Sequence, residues 1–313
     1  MSRFSKRGLI VPTMVLAAAL VGLGYWTLSQ QQRLLSGSLR AGGFERAAAV
    51  QELFEQLRVD SLSSKASALA DNQAFVAYAA QALNVGALPD SPVDVSSVSD
   101  LLGERAEQQG FAVAAVIDSS GRVLASSDAA VTRGQNLQRD AVLDQVAESG
   151  SAAITVLEGG NAPVLAAIVP MQRGGLFDGF LLAGLRVDAA MMEDLAQATA
   201  AEVSLLQRSK DQVILRFSNA PPELQQQLPD LVARAPSIPA DDEILLQTGD
   251  DTLRLNRLFA ADQLLLAYHL PAEAISPSLQ AVARPLQIAY LGFGLLFALW
   301  LWWMRRRLLG HGT

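Results

Sequence analysis

The chain has 313 residues, enough for one large or two small domains with a real core, and half of them are hydrophobic. Its 24 Lys and Arg stand against 31 Asp and Glu, a formal net charge of −7, and it has no cysteine. That excludes disulfides, thiolate metal sites and cysteine nucleophiles, and the two histidines, His269 in an apolar strand and His311 in the tail, leave nothing for a His-centred triad or metal cluster.

The apolar excess sits at the two ends. Residues 8–28 and 286–304 carry no charge, and each is long enough, at about 1.5 Å per residue, to cross a hydrocarbon layer of roughly 30 Å. Arg3, Lys6 and Arg7 precede the first run and Arg305, Arg306 and Arg307 follow the second, which predicts two spans with both termini cytoplasmic and the middle outside. Tyr25, Trp26, Trp300, Trp302 and Trp303 stand where amphipathic rings favour the headgroup layer. A cleavable signal peptide is the alternative for the first run, but its length and the Ala17-Ala18-Ala19 triplet inside it favour an anchor. Residues 29–285 hold all 31 acidic and 18 of the basic residues, net −13, a domain that avoids nucleic acid and anionic lipid.

After the first span the pattern is helical from Gln30 to Leu39, with Gly42 and Gly43 as an interruption. From Phe44, Val50, Leu53, Phe54, Leu57, Leu62, Leu69 and Val76 fall near one face of a long helix that reaches Leu83 with a bend at Asp71-Asn72. At about 1.5 Å per residue such a helix is a stalk of about 60 Å. The seven-residue recurrence Leu62, Leu69, Val76 suits packing against a second copy, and a helix laid on its own domain fits equally well. Asn84 to Ser99 reads as a loop and Asp100 to Gln109 as a short helix. Phe111 to Asp128 is a β-hairpin around the turn Asp118-Ser119-Ser120-Gly121. A helix from Arg139 to Glu148 and strands Ala152–Leu157, Pro163–Met171 and Phe180–Val187 follow.

Asp188 caps another helix, after which the order of elements returns in shortened form. Glu202–Gln207 and Gln212–Phe217 form a second hairpin, and Pro221 to Pro239 is loop and short helix. Ile244–Gln247, Thr252–Phe259 and Gln263–His269 form a second meander, and Pro271 opens a helix into the second span. The fold class is therefore α+β, two stacked modules each with an antiparallel sheet, between two transmembrane helices.

In the stretches Val116-Ile-Asp-Ser-Ser-Gly-Arg-Val-Leu-Ala-Ser-Ser-Asp128, Val164-Leu-Ala-Ala-Ile-Val-Pro-Met171 and Phe177-Asp-Gly-Phe-Leu-Leu-Ala-Gly-Leu-Arg-Val-Asp188 the chain resembles the Cache branch of PAS-like extracytoplasmic sensor domains, in the double-Cache arrangement. The resemblance covers roughly residues 30–285. Taken with the two spans, it divides the chain into a cytoplasmic N-terminus (1–7), a first span (8–28), a membrane-distal module with its long helix (29–200), a membrane-proximal module (201–285), a second span (286–304) and a short cytoplasmic tail (305–313), where family members usually continue into a signalling domain. It also implies a bacterial inner-membrane, periplasm-facing sensor that binds a small molecule in the distal module, forms a homodimer, and signals to an effector on a partner or on a C-terminal continuation. The amino-acid-binding subset of the family is not matched, since Arg133 and Arg139 have no adjacent Trp or Tyr and the last distal strand offers Ala183 and Gly184.

No catalytic constellation and no cofactor motif is found: neither a phosphate-cradling Gly-Lys loop nor a Gly-x-Ser-x-Gly elbow occurs. The paired carboxylates Asp241-Asp242 and Asp250-Asp251 lie beside turns, and His269, in an apolar strand, reads as a structural histidine. Candidate ligand residues surround the distal sheet: Tyr78, Arg122, Arg173, Asp178 and Arg186, with Arg173 and Arg186 as a clamp for an anionic ligand. Asp118 and Gly121 are assigned to turn geometry. The sequence thus predicts a non-enzymatic sensor; the alternative is a structural or adaptor subunit whose outer domain binds another protein.

Overall fold

The computed structural model describes residues 10–83, 94–137, 141–159, 161–174, 176–209, 212–235, 244–248, 251–270 and Gly292. Helix α1 (Ile10–Ala70) is followed by α2 (Gln73–Ala82), α3 (Val95–Gln109), β1 (Val113–Ile117), β2 (Val123–Ser126), α4 (Ala141–Ser149), β3 (Ala153–Leu157), β4 (Val164–Arg173) and β5 (Leu176–Arg186). Then come α5 (Ala189–Thr199), β6 (Glu202–Ser209), β7 (Gln212–Ser218), α6 (Pro222–Arg234), β8 (Ile244–Thr248), β9 (Asp251–Leu258) and β10 (Ala261–His269).

The strands make two antiparallel five-stranded sheets of identical connectivity, β2-β1-β5-β4-β3 and β7-β6-β10-β9-β8. In each, a hairpin takes one edge and the last strand of the meander inserts beside it. The predicted sequence of elements is therefore present twice. Both sheets belong to one compact unit, Arg46–His269; residues 1–45 and 270–313 form the other.

The first sheet is covered on both sides, which is why its central strands β1, β4 and β5 read as nearly continuous apolar runs. On the first sheet Val113, Ala115, Ile117, Val164, Ala166, Ile168, Phe180 and Leu182 pack with Leu143 and Val146 of α4 and with Val131 and Leu137 of the preceding loop. Alternate residues Ala114, Val116, Leu165, Ala167, Leu181 and Ala183 are equally buried on the side taken by α2 and α3. On the second sheet Leu206, Leu253, Leu255, Leu265 and Ala267 pack against Leu224, Leu228 and Val232 of α6.

Three expectations change. First, α1 runs straight through Gly42 and Gly43, because a helical glycine costs only about 1 kcal/mol. Gly43 also leaves room that a Cβ would take, 2.6 Å from Leu270 Cδ1. Second, the packed face of α1 shifts: from Arg46 onward the helix is laid on its own unit, one of the two readings above, with Leu62 and Leu69 buried as expected, but Ala47, Gln51 and Ala66 fill the rest of that face, while Leu53 and Leu57, read as packed, are more than half exposed. The predicted bend is real, since α1 ends at Ala70 and Asn72 Oδ1 caps α2 by accepting from Phe75 N at 3.1 Å. Third, α3 starts five residues early because the Asp94 carboxylate accepts from Ser97 N and caps it. Among the described residues no helix is long and apolar enough to cross a membrane. The side chains of the first predicted span, 8–28, lie outside the described residues save Trp26, and so does the second span, 286–304, save Gly292.

Candidate functional site

Strand register decides which predicted residues can meet. Ile117 pairs with Phe180 and with Val123, so the β1–β2 turn and the β4–β5 turn lie at the same end of the first sheet. Arg122, Arg173 and Asp178 are therefore gathered there. Asp118 Oδ1 builds the first turn, accepting from Ser120 N at 2.8 Å and Arg122 N at 2.9 Å, with Gly121 at φ +86°, and this leaves the Arg122 side chain in solvent. In the second turn Arg173 faces Asp178: its Nη2 donates to Oδ1 at 3.4 Å and its Nε lies 3.2 Å from Oδ2, without hydrogen-bond alignment. Asp178 is 7% exposed and Arg173 reaches it from the rim. These separations are long for a charge-assisted pair, which usually closes to about 2.7–2.9 Å.

Leu176 and Phe177 protrude from the same turn, 72% and 40% exposed, and the Phe177 ring meets Phe180 edge-on with centroids 4.9 Å apart. Gly179 permits the crossing beneath them. Its φ is +120° and a Cβ would stand 2.3 Å from the Ile117 carbonyl oxygen, so β5 can approach the end of β1 only with glycine here.

Arg186 is elsewhere. It pairs across the sheet with Val164, whereas Arg173 pairs with Leu176, and ten residues of β5 amount to about 33 Å. The two arginines cannot grip one small anion. Arg186 instead donates to Asp128 Oδ2 at 2.5 Å, while Asp128 Oδ1 accepts from Ala130 N at 2.7 Å, a pair that pins the end of the first hairpin to β5. Tyr78 stands on α2, 42% exposed, on the helix that covers β4. Gly184 is filled against Val164, whose Cγ1 would lie 2.5 Å from an added Cβ. Beside the Arg173 end, at the α1–α2 corner, a cleft of about 660 Å³ is lined by Ser67, Asp71, Gln73, Ser151, Pro170 and Gln172 among others.

The sequence reading missed a buried polar belt under the second sheet. Gln51, 5% exposed on α1, donates through Nε2 to Glu55 Oε1 (2.5 Å) and to Arg257 O (2.8 Å); its Oε1 accepts from Asn256 Nδ2 (3.0 Å) and Tyr268 OH (3.1 Å). Glu55 Oε2 accepts from Phe259 N at 2.7 Å. Burial pushes the Glu55 carboxyl above its ordinary value, with Glu52 adding to it, against the two hydrogen bonds that favour the anion. Burial first, and the Glu55 charge second, push the Tyr268 phenol far upward, so Tyr268 acts only as a neutral hydroxyl. The signal was the spacing Ala47, Gln51, Glu55, a helical face too small and polar to read as buried. His269, at the end of β10, lies 2.6 Å through Nδ1 from Glu202 Oε2, the structural role expected of it. Among the described residues no cluster of His, Cys, Asp and Glu is arranged to hold a metal.

Residues 46–200 match the family described as single Cache domain 3. The segment belongs to the Cache family. It comprises α1 from Arg46, the whole first sheet and α5, so the Arg173–Asp178 turn and the Arg186–Asp128 pair are both features of a Cache domain. Among solved structures the chain is similar to the ligand-binding domain of the Campylobacter jejuni chemoreceptor Tlp3 in complex with 4-methylisoleucine. That likeness is 14% identity over 77% of this chain and 94% of the other, with a TM-score of 0.45. It is also similar to the sensor domain of the Vibrio cholerae histidine kinase DctB (12%, 77% and 98%, 0.46). A third is the ligand-binding domain of the Pseudomonas aeruginosa amino-acid chemoreceptor PctC in complex with GABA (14%, 75% and 100%, 0.42). No curated protein matches the chain.

Proposed function

We propose that the protein is a non-enzymatic, membrane-anchored sensor of the bacterial inner membrane, with its two Cache-like modules (29–200 and 201–285) in the periplasm between spans at 8–28 and 286–304. The match of residues 46–200 to the Cache family carries this reading. The distal module takes a small-molecule ligand at the end of its sheet where Arg122, Arg173 and Asp178 converge. There the loosely held Arg173 guanidinium can exchange its buried carboxylate for an anionic group of the ligand. Arg186 and Tyr78 stand outside that site. The signal leaves through the second span to an effector on a partner or on a continuation of the chain, and the working form is a homodimer.

A ligand must favour one of two arrangements of the domain to transmit anything, and the same preference stabilises the folded chain. At one hundred times its dissociation constant it adds about 2.7 kcal/mol, or roughly 5–11 °C in melting temperature for a unit of this size. The test is a thermal-shift panel of small organic acids, amines, sugars and amino acids on the full chain in detergent micelles. A shift abolished by Arg173→Gln is the expected result; a midpoint unmoved across the panel overturns the sensor reading in favour of an adaptor that binds protein.

A further inference from the structure

The β9–β10 turn is held from three directions. Between Leu258 and Ala261 the chain reverses through Phe259 and Ala260, at φ +54° and +53°, a left-handed pair that L-residues avoid and that a two-residue hairpin ordinarily fills with Asn or Gly. The register then slips: Ala261 faces Leu258, but Leu265 faces Arg257, so Asp262, Gln263 and Leu264 bulge out of the ladder. Nothing local in Leu-Phe-Ala-Ala-Asp-Gln asks for this shape.

What holds it comes from elsewhere in the unit. From α1, Glu55 Oε2 accepts Phe259 N at 2.7 Å and Gln51 Nε2 donates to Arg257 O at 2.8 Å, across more than 200 residues of sequence. From within the second sheet, Asn256 and Tyr268 fix Gln51, and Arg257 closes the bulge on Asp262 at 2.5 Å. From the first sheet, Val156 O on β3 accepts Gln263 Nε2 at 3.0 Å. Because β3 is the edge strand, its outward carbonyl is available to a partner outside its own sheet. The bulge that a regular hairpin would lack is the device that carries Gln263 to that edge.

We infer that the β9–β10 turn is a joint between the modules, a strained loop through which displacement of β3 in the Cache domain is passed to α1 and to β10. Its use in signalling rests on the sensor reading above, but the coupling itself exists without ligand. α4 packs on β3 and β4, so the strand at the far side of the joint belongs to the same packed layer as the distal core. β10 ends at His269, where the chain leaves the compact unit.

Hydrogen exchange on the ligand-free full chain in micelles tests this. Glu55→Ala is expected to raise amide exchange at least about tenfold in β9–β10 and, remotely, in β3–β4; Gln263→Ala should do the reverse, loosening β9–β10 and the Gln51–Glu55 turn of α1 along with β3. Glu55→Gln, which keeps an acceptor for Phe259 N, should loosen both sites less than Glu55→Ala. Phe259→Gly with Ala260→Gly lets the turn adopt its shape unaided, and adding Glu55→Ala to that background should no longer reach β3. If the alanine variants loosen only their own side, the joint does not exist. If Glu55→Ala unfolds the unit, the glycine-turn background decides: remote exchange that persists there in the Glu55→Ala chain overturns the inference. Failure of the ligand panel leaves this result untouched, and the converse holds.

Discussion

Gly179 gives the sharpest test of how the distal sheet closes, because two separate penalties meet at one residue. An alanine there would be held at φ +120°, a region open essentially to glycine, at a cost of about 1–3 kcal/mol. Its Cβ would also stand 2.3 Å from the Ile117 carbonyl oxygen and 3.3 Å from Asp118 Cα, both backbone atoms that cannot rotate away. Relieving that contact means parting β1 from β5 at the Ile117–Phe180 pair and giving up at least one ladder hydrogen bond, about 1 kcal/mol more. The sum is roughly 3 kcal/mol, and at about 2–4 °C per kcal/mol the full chain in micelles should melt some 6–12 °C lower, followed by circular dichroism. Two further glycines calibrate the scale. Gly134, at φ +82° with nothing near a built Cβ, carries the strain alone and should lose about 1 kcal/mol as alanine. Gly103, helical and with open space around it, should gain about 1 kcal/mol. A Gly179→Ala chain that melts no lower than Gly134→Ala would refute the backbone contact and with it the closeness of the two turns that assembles Arg122, Arg173 and Asp178.

Two other expectations concern charge and topology. Glu55, with its carboxyl raised above 4.5 by burial, favours the folded state most when protonated; that contribution is complete below about pH 4.5 and lost as the pH rises through the folded-state value. The melting temperature of the native chain minus that of Glu55→Gln should therefore fall as the pH rises above the ordinary carboxylate range, and a difference flat with pH would count against a buried carboxyl. Reporter fusions at the two ends should read as cytoplasmic, and an outward N-terminus would sink the two-span arrangement.

The strands were legible because alternation and turn chemistry are local. Asp118 and Gly121 specify their hairpin by hydrogen bonds spanning four residues, and every predicted strand overlaps an observed one. The break at Asp71-Asn72 was legible for the same reason. On α1, Leu62 and Leu69 were legible as packed; what escaped was the rest of that face, Ala47, Gln51 and Ala66, while the exposed Leu53 and Leu57 carry the apolar signal. Gln51 is explained chiefly by Asn256, Arg257 and Tyr268, about 200 residues away, and no periodicity encodes a partner at that distance. In the candidate site, Arg173 and Asp178 were legible as one turn; the separation of Arg173 from Arg186 follows from strand length and was overlooked. Asp128 as the partner of Arg186 needed the register of three strands.

The two modules, alike in connectivity, differ in what their helical partner demands of them. The first sheet meets its helices through Val, Leu, Ile and Ala, contacts that survive small shifts because apolar burial has no direction. The second meets α1 through Gln51, Glu55, Asn256 and Tyr268, where every polar atom is matched by position. Turning α1 by one residue, about 100°, would strip both donors, Asn256 Nδ2 and the buried Tyr268 hydroxyl, from Gln51 Oε1. At about 1–3 kcal/mol for each buried group left unpaired, the intermediate positions are steeply unfavourable. Between Gln51 and Glu55, then, α1 cannot slide gradually over the second sheet. It moves with that sheet as one body, or it jumps to a different set of partners.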